Sequence, residues 1–407
     1  MLETPSRRKL LLIAPFPYGA QSGQGGATAC YNALRLLASR FDIGVVVFSS
    51  TSDTDKASIK NMQALASMVI TVPFSVPKIR VLKAKLTGLF TSTPEHAAYF
   101  DQASMVRAIA RAESQFRPDW VMTQFPQMAQ FLPHCHTSLR IMDVQDAFTV
   151  SWFRRANISK HWASRVYAYR QWLNWVHHEK ALYAQASEVW TLSDQDSWGL
   201  KAFSPALPVR TIGLPMAPPE HQPAQAASAP TNQDIGFIAS FGHKPNVEAL
   251  SHLITQVIPL IGARLPGARF VIAGRSPPAH LVNTAPSNVH FMGYVDDLTD
   301  FYQGCRIIVA PLLSGGGLKI KVAEAMGHGK AIVATPVAVE GMNLIPDQDV
   351  VVATTPEAFA DGIVRLMTNP VLRQGLETGA RALFAQQFDE QAWLNRAEAA
   401  LLKLLPT

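Results

Sequence analysis

Apolar and polar positions along the chain follow two periods. Short, largely apolar runs at 10–14, 43–48, 120–123, 139–143 and 188–192 fit strands. Between the first two, residues 27–39 place apolar side chains at helical spacing, after a loop, QSGQGG, that holds Gly23, Gly25 and Gly26. Strand, helix, strand in that order predicts βαβ units, which build parallel sheets. The pattern lapses between 206 and 232, where Pro, Ala and Gln dominate, and 216–232 reads as a linker.

A second series then begins. Strands are expected at 234–240, 269–273, 289–292, 306–310 and 331–334, with helices at 246–261, 319–327, 356–368 and 390–405. The expected fold class is α/β, with two Rossmann-like doubly wound domains facing across a cleft. The first domain covers 1–215 and is expected on the acceptor side. The second covers 233–387, and a helix at 388–407 is expected to pack back on the first. In such sheets ligands sit at the carboxyl ends of the strands.

The length of 407 residues suits two such domains. Hydrophobic residues at 48% against 16% charged exclude a disordered chain. Cys30, Cys135 and Cys305 are far apart and lack zinc-ligand spacing, which points to a reducing compartment. Arg7, Arg8 and Lys9 precede an apolar run that Pro15 ends too early for a signal peptide. No run approaches the roughly eighteen apolar residues of a spanning helix. A cytoplasmic protein is expected, with peripheral contact at the inner face of the cytoplasmic membrane open to it. A net charge of +6 allows nucleic acid, anionic lipid or phosphorylated partners. No helix-turn-helix, zinc finger or aromatic RNA-binding signature supports nucleic acid.

The richest segment is VAPLLSGGGLKIKVAEAMGHGKAIVATPVAVEG. It reads as strand, glycine loop, helix, turn and strand. Gly315, Gly316 and Gly317 let backbone approach a ligand and leave N–H groups at a helix start, where phosphate binds. Lys319 and Lys321 can supply charge to a diphosphate. Glu324, three residues beyond Lys321, shares its helix face and can accept from both hydroxyls of a ribose. A flexible glycine tip beside a solvated charged face is the bland alternative.

This segment resembles the donor-site motif of GT-B glycosyltransferases of retaining family four, the group 1 glycosyl transferases. Lys319 and Lys321 fall on the family's basic pair and Glu324 on its ribose-binding glutamate. FIASFGHKPNVEAL, with His243, Lys244, Pro245 and Asn246, resembles the loop after the first C-terminal strand. FVIAGRSPP, with Gly274 and Arg275, resembles the second strand and its turn. NVHFMGYVDDL resembles the stretch that holds the base through backbone at Tyr294 and Val295. Gly25 and Gly26 match the N-terminal glycine loop. The resemblance implies a hexosyltransferase using a nucleotide-diphosphate sugar with retention, and no cofactor or metal. A saccharide acceptor is expected, or a lipid-linked one if the basic apolar stretch SVPKIRVLKAKLTGLF meets a membrane, as in envelope, lipopolysaccharide or exopolysaccharide assembly. One position departs: Gly316 stands eight positions before Glu324, with seven residues between, where many members carry a second glutamate. This leaves the transferred sugar open and admits an inactive GT-B partner protein. A nucleotide-sugar epimerase on the same fold is the other alternative.

Catalysis would rest on electrostatic stabilisation of the leaving diphosphate by Lys319, Lys321, Lys244 and loop amides. Asp143, just past a strand, could orient an acceptor hydroxyl, with Asp146 beside it; a turn or N-cap role is equally open. The pairs Asp53/Asp55, Asp194/Asp196 and Asp347/Asp349 have a metal-like spacing but fall at expected loops or helix starts. His134 and His136 read as polar surface.

Two stretches mix bases with apolar residues. SVPKIRVLKAKLTGLF suits an anionic membrane surface as well as a packed helix. In WFRRANISKHWASRVYAYRQWLNWVHHEK the aromatics, Trp152, Phe153, Trp162, Trp172 and Trp175 among them, are expected to fill the core.

Overall fold

The computed structural model describes residues 7–19, 25–75, 77–159, 161–217, 219, 234–295 and 298–406. Gly23, most of the linker at 216–232, and Asp296 and Asp297 lie outside the described residues. The chain divides into two units, Met1–Met216 with Glu390–Thr407, and Ala217–Asp389.

The first unit opens with β1 (Lys9–Ala14), α1 (Gly25–Arg40), β2 (Asp42–Ser49), α2 (Asp53–Leu65) and β3 (Met68–Pro73). Three helices follow, α3 (Lys78–Phe90), α4 (Glu95–Phe100) and α5 (Ala103–Phe116). Then come β4 (Trp120–Gln124), a 3-10 segment Pro126–His134, and β5 (Arg140–Val144). The hairpin α6 (Phe148–Ile158) and α7 (Trp162–Tyr183) precedes β6 (Glu188–Thr191), α8 (Asp194–Phe203) and β7 (Val209–Thr211). The seven strands pair in parallel in the order β3-β2-β1-β4-β5-β6-β7. The central β1 is buried on both faces, as its run of Leu and Ile requires.

The last helix, α15 (Glu390–Lys403), belongs to this first unit. Trp393, Leu394, Ala397 and Leu401 join a core with Leu34, Leu37, Phe41 and Trp190. Trp393 donates its indole N–H to the Gly213 carbonyl at 3.1 Å, and Glu390 pairs with Arg35.

The second unit contains β8 (Asp234–Ile238), α9 (Lys244–His252), β9 (Arg269–Ala273), α10 (Ala279–Thr284), β10 (Val289–Gly293) and α11 (Leu298–Gly304). It continues through β11 (Cys305–Ala310), α12 (Ile320–Gly327), β12 (Ala331–Ala334) and β13 (Val351–Val352) to α13 (Pro356–Thr368) and α14 (Pro370–Phe388). Its six strands are parallel in the order β10-β9-β8-β11-β12-β13. The chain reverses direction of growth between β8 and β11, the topological switch where open α/β sheets bind ligands.

Three features differ from the sequence reading. The expected helix over 246–261 is α9 only as far as His252, then a π turn at Leu253–Val257 and a 3-10 turn at Ile258–Leu260. Pro259 there has no N–H to continue an α-helix. Strands β3, β7 and β13 add to the sheets at or near their edges. The aromatic segment also departs from expectation. Trp175 is buried, but Trp162 is 79% exposed, and Phe153, Ile158 and Val166 also face solvent.

Candidate active site

The glycine loop between β11 and α12 lies beside the β8–α9 loop, at the switch of the second sheet. Gly315 and Gly317 take φ of +119° and +62°, which side-chain-bearing residues rarely adopt. A side chain added at Gly315 would reach Pro245 at 3.8 Å, so the two loops are close. Ser314 donates its hydroxyl to Glu248 of α9 at 2.8 Å. Lys321 donates to Oδ1 of Asn246 at 2.6 Å, and Asn246 in turn donates to the Ser240 carbonyl at 2.7 Å. These bonds draw Lys244, Asn246, the triple glycine and Lys321 into one locality.

Lys319, at the N-cap position of α12, folds its ammonium onto the carbonyls of Gly316 and Gly317 at 3.1 and 2.5 Å. Those bonds hold the loop curved around the amine. Lys321, one residue inside α12, passes over the Phe237 ring at 5.8 Å. Burial lowers its ammonium to about 8, against the pull of Glu324, and Lys319 adds to the lowering.

Glu324 lies behind the lysines on α12. Burial pushes its carboxyl up to about 7; the Tyr302 hydroxyl and Lys321 pull the other way. Tyr302, on α11, sets its hydroxyl 3.3 Å from Oε2 of Glu324, and its ring stacks on His328 with centroids 4.4 Å apart. Sequence reasoning missed Tyr302 and His328. Tyr302 stands 22 residues before Glu324, and only the β11 crossover brings them together.

Around the rim, Arg275 stacks its guanidinium 3.8 Å from the Tyr294 ring centre. Gly274, at φ +137°, precedes it; an added side chain there would meet the Ala239 carbonyl oxygen at 1.7 Å. The turn therefore admits only glycine, and it aims Arg275 outward. Tyr294 is exposed and Val295 partly so, just after β10. His243 is the N-cap residue of α9 and makes no side-chain capping bond. Lys244 is well exposed and lies 3.6 Å from Glu248.

In the first unit, Asp143, next to last in β5, accepts from Gln124 at 3.0 Å and Gln145 at 2.7 Å. Tyr18 completes the chain by donating to Gln124 at 2.8 Å. Burial raises the Asp143 carboxyl to about 6, and the two amides oppose the rise. The adjoining cavity, lined by Met122, Trp190, Leu214 and Trp393, measures about 20 Å³, room for about one water. Asp146 accepts from Ser151 of α6 at 3.0 Å. Gly25 and Gly26 are the first residues of α1.

The paired aspartates have local work. Ser52 and Ser193 cap α2 and α8 by accepting from the N–H groups of Asp55 and Asp196. Asp347 pairs with Arg365 at 3.3 Å, and Asp349 accepts from the Ile345 N–H at 2.9 Å. Among the described residues no three His, Cys, Asp or Glu side chains gather where they could hold a metal. No described helix is long and apolar enough to cross a membrane.

Residues 232–369 match the family model of the glycosyl transferases group 1. The whole fold is similar to sucrose-phosphate synthase from Thermosynechococcus elongatus, with a TM-score of 0.69 at 17% identity over 98% of this chain and 99% of that one. HepE of Anabaena, solved in complex with UDP-glucose, gives 0.64 at 13% identity over 98% of this chain and 100% of that one. TarM of S. aureus gives 0.66 at 10% over 98% and 100%. A Klebsiella pneumoniae relative, described as an uncharacterized 44.6 kDa protein in the cps region, is 22% identical over 176 residues. That match spans 39% of this chain and 44% of the relative. The fold is that of the GT-B glycosyltransferases. The likeness to the group 1 glycosyl transferases lies in its second unit.

Proposed function

We propose that this chain transfers a hexosyl group from a nucleoside-diphosphate sugar to a saccharide or lipid-linked acceptor, with retention of anomeric configuration. The observation that carries this reading is the gathering of Gly315–Gly317, Lys321 and Glu324 at the switch of the second sheet. Amides and ammonium groups at a helix start suit a diphosphate. A carboxylate deeper in the same helix suits the two hydroxyls of a ribose. The UDP-glucose complex of HepE supports a donor of this class. The position of the Klebsiella relative in a cps region supports polysaccharide assembly.

In the reaction, the bond from the anomeric carbon to the diphosphate oxygen breaks and its electron pair stays on that oxygen. The acceptor oxygen bonds to the anomeric carbon, and the acceptor proton passes to the departing diphosphate. Lys321, Lys244 and the loop amides stabilise the charge that develops there. None of these steps calls on a metal or cofactor.

Gly316 favours a second reading, a GT-B partner protein that binds nucleotide without turnover. Incubation with nucleotide sugars and an acceptor separates the two. Release of free nucleoside diphosphate that requires acceptor supports transfer. A bound but unchanged donor supports the partner protein, and donor epimerisation without release contradicts both.

A further inference from the structure

Helix α3 displays an apolar stripe to solvent. Ile79, Leu82, Leu86, Leu89 and Phe90 are exposed, Ile79 at 71% and Phe90 at 80%. At about 100° per residue they fall within an arc of about 100° on one side of the helix. Ala84 and Gly88, on the opposite side, are buried. Exposed Lys83 borders one edge of the stripe, and exposed Lys78 and Lys85 border the other.

The helix is held from behind. Gln171 and Asn174 of α7 donate to the Gly88 carbonyl at 3.1 and 2.7 Å, and Arg170 donates to the Leu89 and Thr91 carbonyls at 3.2 and 2.7 Å. The stripe thus points away from a fixed support. No Asp or Glu occurs anywhere in 75–94 or in 147–178, the supporting hairpin, although Lys78, Arg80, Lys83, Lys85, Arg154 and Arg155 lie there.

We infer that α3 is a docking element for an anionic lipid bilayer, lying in the plane of the interface with its apolar stripe among the acyl chains. A helix of 13 residues is about 20 Å long, and its flanking lysines can bury their stems while the ammonium groups reach lipid phosphates. Charge selects this occupant. A second copy of the chain would set Lys78, Lys83 and Lys85 against their own counterparts with no carboxylate in the segment to answer them. A nucleic acid would answer the lysines and leave the stripe wet. A bilayer with anionic headgroups meets both. The inference deepens the acceptor side of the proposed function and does not depend on the donor site.

Vesicle flotation tests it, with phosphatidylcholine vesicles containing or lacking phosphatidylglycerol. The wild-type chain is expected to float only with the anionic vesicles, and to be released by high salt. Leu82→Ser with Leu86→Ser, and separately Lys83→Glu with Lys85→Glu, are each expected to lower the bound fraction roughly tenfold or more. These surface variants should keep the thermal shift that the wild type shows with a nucleoside diphosphate, since the donor site lies in the other unit. Failure of that shift in every protein would sink the donor reading and leave this one standing. Wild-type flotation that is absent, indifferent to phosphatidylglycerol, or unchanged in both variants overturns the inference. So does a dimer in gel filtration that the leucine variant dissolves without any vesicle binding, or RNA binding without flotation.

Discussion

The hydroxyl of Tyr302 lies 3.3 Å from Oε2 of Glu324 and also 3.3 Å from the Lys321 carbonyl. It has one hydrogen for two acceptors. When it donates to Glu324 it favours the carboxylate and steadies it for a ribose. Tyr302→Phe keeps the ring against His328 and removes only this donor. The Glu324 carboxyl should then titrate higher, and nucleoside-diphosphate affinity near neutral pH should fall about fivefold, the worth of about 1 kcal/mol. Calorimetric titration across pH checks this. Affinity restored at alkaline pH is the mark of a shifted carboxyl.

The wild-type protein should itself show a pH optimum for nucleoside-diphosphate binding. Glu324 must be ionised to accept, and with its carboxyl raised to about 7, affinity should climb as pH rises through that value. Lys321 must be protonated to meet phosphate, and with its ammonium lowered to about 8, affinity should decline above it. A profile that rises steadily through the alkaline limb would remove Lys321 from phosphate binding.

Gly274 fixes the turn that aims Arg275. Gly274→Ala meets both a positive φ and the Ala239 carbonyl, and should destabilise the second unit by about 2–4 kcal/mol. In a unit of that size the melting temperature should drop by about 4–16 °C, seen by differential scanning calorimetry. Gly262→Ala, where an added side chain meets nothing within 4 Å, is the control and should shift it little.

Glu179, buried in the first unit, accepts from the N–H and the hydroxyl of Thr149. Burial raises its carboxyl to about 8, with the Thr149 bonds opposing and nearby Asp146 adding to the rise. A carboxyl whose native pKa exceeds its unfolded one favours folding most at acid pH and loses that favour as pH climbs through the native value. Glu179→Gln keeps an acceptor for Thr149 and cannot ionise. Its melting temperature relative to wild type should therefore improve between about pH 6 and about pH 9. A constant difference would mean that Glu179 does not titrate there.

The central strands are legible in the sequence because both faces are covered, so β1, β2 and β11 read as near-continuous apolar runs broken only by Lys9, Asp42, Ser49 and Arg306 at or near their ends. Edge strand β3 is largely apolar in sequence but only half-covered, and β13 is two residues long. The glycine–lysine–glutamate order on β11–α12 is local and can be read from sequence. Tyr302, which holds Glu324, comes from another crossover and announces nothing in sequence; Asn246 stands out in its own segment, but its bond to Lys321 is legible only in the fold. The Trp162 segment misleads because aromatic residues usually mark a core, while only part of the α6–α7 hairpin is covered and Trp162 and Phe153 stay exposed.

Isothermal titration of a panel of nucleoside diphosphates into wild type and Glu324→Ala bears most directly on the grip of the glycine loop and α12. One nucleoside diphosphate should bind the wild type, and the variant should lose about tenfold to a hundredfold, the worth of about 1.5–3 kcal/mol for hydrogen bonds to a charged group. Equal affinity in the two proteins, or no binding of any member by the wild type, would contradict it.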